Sequence, residues 1–141
     1  MKKIIAAVTV AAILCGTVFP ISAHAEYDEP VIETIAEEYA YTSSVTSSLV
    51  FYGSTAYCNS TVRGNTQATR IEGKQILQKK VLWWWSDVDT WYEAVDSNYL
   101  GMHNQAPVTE NGTYRVRIEA RVYSGNNYED VYCNSTEVDY P

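Results

Sequence analysis

From Ser43 onward, apolar and polar residues alternate. The clearest stretch is Tyr114, Val116, Ile118, Ala120 and Val122, interleaved with Arg115, Arg117, Glu119 and Arg121. Side chains alternate across a strand, so a period of two predicts one buried face and one wetted face. Asn111-Gly112 marks a turn before this strand, and Ser124-Gly125-Asn126-Asn127 a hairpin after it. A further strand is predicted from Tyr128 to Val138, with Val131 and Cys133 on one face. The first half repeats the pattern. Ser43 to Tyr52 carries Val45, Leu49 and Phe51, and Gly53-Ser54 turns the chain. Thr55 to Arg63 puts Ala56, Cys58, Ser60 and Val62 on one face, and Gly64-Asn65 turns it again. Thr69 to Lys80 follows, with Ile71 and Leu77 in phase. Val81–Trp85 and Thr90–Val95 are predicted as two strands split by Ser86-Asp87-Val88-Asp89, and a weaker one is expected between Asn98 and Val108. About seven strands with turns at this spacing predict an all-β sandwich or barrel.

The N-terminus has a different pattern. Lys2 and Lys3 precede an apolar run from Ile4 to Val18, and Ala23-His24-Ala25 closes it with small residues at the cleavage positions. This is the layout of a secretory signal peptide over residues 1–25. The run is short for a membrane span, which needs roughly 20 residues. Cys15 follows Leu14 rather than a small residue, so it reads as part of the discarded peptide. Residues 26–42 read as an acidic leader, with Glu26, Asp28, Glu29, Glu33, Glu37 and Glu38 as its charges, and the sandwich domain as 43–141. The expected location is therefore outside the cell, secreted or loosely associated with its surface.

Export changes the charge and the cysteine chemistry. Losing Lys2 and Lys3 takes the formal charge from −7 to −9. Such a chain is not expected to bind nucleic acid, or a membrane after signal cleavage, by bulk electrostatics. Cys58 and Cys133 remain, and outside the cytoplasm an isolated pair reads as one disulfide. In the chain-entropy account, closing that long loop would contribute on the order of 4 kcal/mol. Two distant cysteines and the lone mature histidine, His103, offer no metal-ligand spacing, and no cofactor is expected.

Candidate chemistry is sparse. Trp83, Trp84, Trp85 and Trp91 are close in sequence, with Tyr92 and Tyr99 nearby. In a strand, Trp83 and Trp85 would share one face and Trp84 the other. If one face packs in the core, the other leaves an aromatic platform suited to a sugar face or a protein partner. Trp84, Trp91, Tyr92 and Tyr99 are the candidate ligand residues. Lys74, Arg115, Arg117 and Arg121 form a basic stripe on outer faces, with Glu72 and Glu119 as partners. Asp87, Asp89, Asp96 and Asn98 are oxygens of the type calcium prefers, but their spacing fits no calcium loop. No nucleophile and base stand in a recognisable pattern, so no enzyme is expected. The expected function is a non-catalytic extracellular binding module with a protein or glycan partner. Carbohydrate binding through exposed Trp and Tyr is the first alternative, and a secreted hydrolase the second.

At Gly112-Thr113-Tyr114-Arg115-Val116 the chain resembles immunoglobulin-like and fibronectin-type domains. More broadly it resembles small secreted Gram-positive proteins with such a sandwich and no assigned function. The pieces that carry the likeness are Tyr41-Thr42-Ser43-Ser44-Val45-Thr46, Ala56-Tyr57-Cys58-Asn59-Ser60, Leu77-Gln78-Lys79-Lys80 and Tyr123-Ser124-Gly125. The resemblance implies an immunoglobulin-like or fibronectin-type-III-like β-sandwich of about seven antiparallel strands. It implies that the third strand pairs with the arginine-bearing strand, and that Tyr114 caps a corner by hydrogen-bonding back to the chain. It implies no activity. Gly73 and Gln75 depart from the pattern, standing where apolar residues are wanted, and a bulge is expected there.

Overall fold

The computed structural model describes residues 39–141; the predicted signal peptide and residues 26–38 of the leader lie outside the described residues. Eight strands form: β1 (Thr42–Tyr52), β2 (Thr55–Gly64), β3 (Arg70–Val81), β4 (Trp84–Val95), β5 (Tyr99–Pro107), β6 (Gly112–Ser124), β7 (Asn127–Asn134) and β8 (Val138–Tyr140). They build a β-sandwich of two antiparallel sheets. One has the order β1-β2-β5; the other runs β4-β3-β6-β7, with β8 also paired to β6. The region Val81–Val95 departs from expectation. Val81 ends β3, Leu82-Trp83 makes the turn, and β4 is one continuous strand. It stays continuous because Val88 is an extra residue: Leu77 pairs with Asp89 and Gln78 with Asp87, so the bulge absorbs the polar stretch. The expected strand Tyr128–Val138 breaks into β7 and β8.

The interior is two apolar clusters separated by a polar layer. Val45, Val62, Ile71, Leu100, Ile118 and Val122 belong to one cluster. Leu49, Ala56, Cys58, Leu77, Tyr114 and Val116 belong to the other. Gln75, fully buried, donates to Ser60 Oγ (2.8 Å) and the Met102 carbonyl (3.3 Å), and accepts from Asn104 Nδ2 (2.8 Å). Ser47 lies 3.0 Å from Ser60 and donates to the Val116 carbonyl. Gln75 is tolerated in the core because each of its polar atoms has a partner. Gly73 is required for a different reason. A Cβ there would lie 2.5 Å from Leu100 Cδ2 and 3.1 Å from Met102 Sδ, so its absence lets the facing sheet approach. The chain bulges at Val88, not at Gly73 or Gln75.

The expected Cys58–Cys133 bond is not formed: Cys58 is a buried free thiol. β7 packs over β1, whereas β2 packs over β3 and β6, and no Cα of β2 lies within 8 Å of one in β7. That exceeds the reach of a disulfide, roughly 7 Å between Cα atoms. Burial pushes the Cys58 thiol up to about 12, helped by the nearby Asp89.

The start of the sandwich reaches back into the predicted leader. Tyr39 and Tyr41 pack on the first apolar cluster. The Glu129 carboxylate accepts from the backbone N–H of Ala40 and Tyr41, both at 3.0 Å, and from Thr42 Oγ1 at 2.6 Å. Burial and the Glu129 charge push the Tyr39 phenol up to about 12.

Candidate functional site

The four residues expected to form one aromatic site do not meet. Trp91 pairs with Gln75 and points inward, touching both apolar clusters; it is the core tryptophan, a role expected of a face of the Trp83–Trp85 run. Trp84 sits at the β3–β4 tip, packed edge-on against Trp83. Tyr99 lies on the outer face of the three-stranded sheet beneath Arg63. Only Tyr92 reaches the outer face of the five-stranded sheet. Trp85 also projects there, stacked under the Arg115 guanidinium at 4.1 Å.

That outer face does assemble a site. Pairing across four strands places Tyr92, Lys74, Glu119 and Tyr132 in one row. The flanking row is Ala94, Glu72, Arg121 and Asp130. Three interstrand gaps of ~4.8 Å separate the outer strands, so the tyrosines are about 14 Å apart along the row. Between them lies an open groove of about 550 Å³, floored by the backbone of Gly73, Ala120 and Val131. The floor stays open because Gly73 has no side chain and Ala120 and Val131 turn theirs into the buried interior.

The basic stripe is largely neutralised. Arg117 Nε donates to Glu119 (2.8 Å) and stacks on Tyr132 at 4.3 Å. Arg121 binds Asp130 with two parallel bonds, 2.8 and 3.2 Å, which pushes its pKa further up. Arg70 pairs with Asp96 and Glu72. Lys74 leans over Tyr92, 5.9 Å from the ring centre. The groove therefore presents three cations and three carboxylates, with no net charge, and all but Lys74 are held by ion pairs. Arg115 differs. It donates to Gln78 Oε1, and burial, with Arg117 beside it, lowers its pKa.

The remaining candidates are dispersed. Asp87 accepts from Gln78 near one end of β4, Asp89 caps the Thr90 N–H, and Asp96 is held by Arg70 past the other end. Among the described residues no cluster of three or more His, Cys, Asp or Glu could hold a metal ion. His103 contacts Asn59 Oδ1 on the opposite sheet's outer face. The Tyr114 hydroxyl donates to the Glu110 carbonyl at 2.7 Å, bracing the turn before β6. Tyr132 and Asp130 were missed in the sequence. Their alternation with Val131 and Cys133 was visible, but placing them beside Glu119 and Arg121 requires the β6–β7 register. Compared with protein-family models, curated proteins and solved structures, the chain matches none.

Proposed function

We propose that the protein is a secreted, non-catalytic binding module that takes a carbohydrate chain in the groove of its five-stranded sheet. The observation that carries this reading is the row Tyr92–Lys74–Glu119–Tyr132, a charge-balanced floor between two phenol rings. A sugar offers an apolar C–H face for a ring and hydroxyls that both donate and accept. Held carboxylates accept from such hydroxyls, and the held guanidinium groups and the Lys74 ammonium donate to them. An anionic ligand is a poorer match, because Arg117 and Arg121 already have carboxylate partners and the groove carries as many carboxylates as cations. An enzymatic reading lacks support for the same reason: the carboxylates are committed to ion pairs.

The test is a panel of immobilised neutral and acidic glycans probed with wild-type protein and with Tyr92→Ala. Tyr92 is exposed, so its removal leaves the fold intact. Binding to neutral glycans that falls at least tenfold in the variant is the expected result. Binding to none of the panel, or equal binding by both proteins, would overturn the reading.

A further inference from the structure

We propose that the β3–β4 hairpin tip inserts into the interface of a zwitterionic phospholipid bilayer. The tip is Leu82-Trp83-Trp84, with Val81 beside it in register. Leu82 is 74% exposed and Trp83 80% exposed, Trp83 being the most exposed large hydrophobic side chain among the described residues. Neither is needed by the core. Their exposure comes with backbone strain: Leu82 has φ 57°, in the left-handed region that disfavours side chains. The same angle is taken by glycine at the β1–β2 and β6–β7 turns, Gly53 and Gly125. A leucine held there against its backbone preference indicates a use for the side chain.

The surrounding charges fit the depth profile of a bilayer. Val81 to Trp85 carries no charge. One row behind the tip, Trp85 lies beneath Arg115 (4.1 Å) and near Lys80 (5.8 Å). At ~3.3 Å per residue, that row sits roughly 7 Å behind the turn, where headgroup phosphates would lie once the tip is immersed. Lys80 also meets Glu137 at 3.6 Å and Lys79 meets Glu110 at 2.7 Å. Among the described residues Arg115 has no carboxylate within 4.0 Å, Glu137 acting on it only from farther off, so its guanidinium can still meet a phosphate. Indole rings favour the interface, apolar body inward and N–H toward the headgroups. A narrow convex hairpin needs a pocket on a protein partner but none in a lipid surface. The net negative charge that argued against membranes opposes anionic lipid; it does not oppose apolar burial in zwitterionic lipid.

The experiment uses the exported protein with phosphatidylcholine vesicles at 0.15 M salt, in flotation and by tryptophan emission. Expected results are co-flotation, a blue shift, and quenching by lipid brominated near the headgroup. Trp83→Ser and Leu82→Gly should each lower partitioning at least tenfold. Leu82→Gly relieves the backbone strain, so loss of binding in that variant cannot be ascribed to unfolding. Wild-type protein that stays with the buffer, or tip variants that float as wild type does, would overturn the proposal. So would a Trp83-dependent complex with a soluble protein in the absence of flotation.

Discussion

Gln75→Leu tests whether the polar layer stabilises the sandwich. Leucine is close in size and apolar, and by pattern alone it is the residue expected at this position of β3. The substitution removes three hydrogen bonds, to Ser60, Met102 and Asn104. Ser60 keeps Ser47, and the Met102 carbonyl keeps its place in a paired strand. Asn104 loses the acceptor for its half-buried amide. Leaving such a donor unpaired costs about 1–3 kcal/mol, and the lost bonds to Ser60 and Met102 add to it. The apolar gain from leucine offsets roughly 1 kcal/mol. The net expectation is a destabilisation of about 2 kcal/mol, a fall in Tm of about 8–15 °C for a domain this size. Urea unfolding followed by tryptophan fluorescence should give a lower midpoint with unchanged slope. Adding Asn104→Leu to Gln75→Leu should cost less than the two singles summed, because the orphan donor is then gone. A Gln75→Leu protein as stable as wild type would refute the reasoning and make the layer incidental.

Four further outcomes rest on the same structure. Gly73→Ala crowds Leu100 and Met102 and should destabilise by about 1–2 kcal/mol, measured by calorimetry. Leu82→Gly should raise stability by about 0.5–1 kcal/mol, since glycine adopts the left-handed turn without strain. Cys58 and Tyr39 titrate near 12 in the fold, against 9.0 and 10.0 ordinarily. The unfolded chain releases those protons first, so stability should hold below pH 9 and fall as pH climbs towards 12, less steeply in Cys58→Ala. Non-reducing peptide maps should show no Cys58–Cys133 link.

The sheets were legible because one face of each strand is buried. The alternation in β6 fixes Val116, Ile118 and Val122 inward, and the paired neighbours repeat it. What period two cannot give is the partner of a strand. Cys58 and Cys133 each read correctly as inward-facing, yet the staple fails because β2 and β7 are not opposite one another. The tryptophan run misled for a related reason. Two-residue turns flip nothing visible in the pattern, so Leu82-Trp83 read as strand and the phase of β4 was lost until the bulge at Val88 fixed it. Trp91 then falls inward and Tyr92 outward. The groove was half legible: Lys74, Arg117 and Glu119 read as outward, and Arg117 and Glu119 are two apart on one strand, but the Arg121–Asp130 pair and the place of Tyr132 depend on the β6–β7 register. The Glu129 clamp on residues 40–42 gave no local signal, because its partners are nearly ninety positions away.

The most direct test of the binding face is a ¹H–¹⁵N NMR titration of labelled protein with neutral oligosaccharides of several linkages. The account predicts saturable shifts confined to residues 72–74, 92, 117–121 and 130–132, with the three-stranded sheet unmoved. Saturable shifts centred on Tyr57, Asn59, Tyr99 and His103 instead would place the site on the other sheet and contradict it.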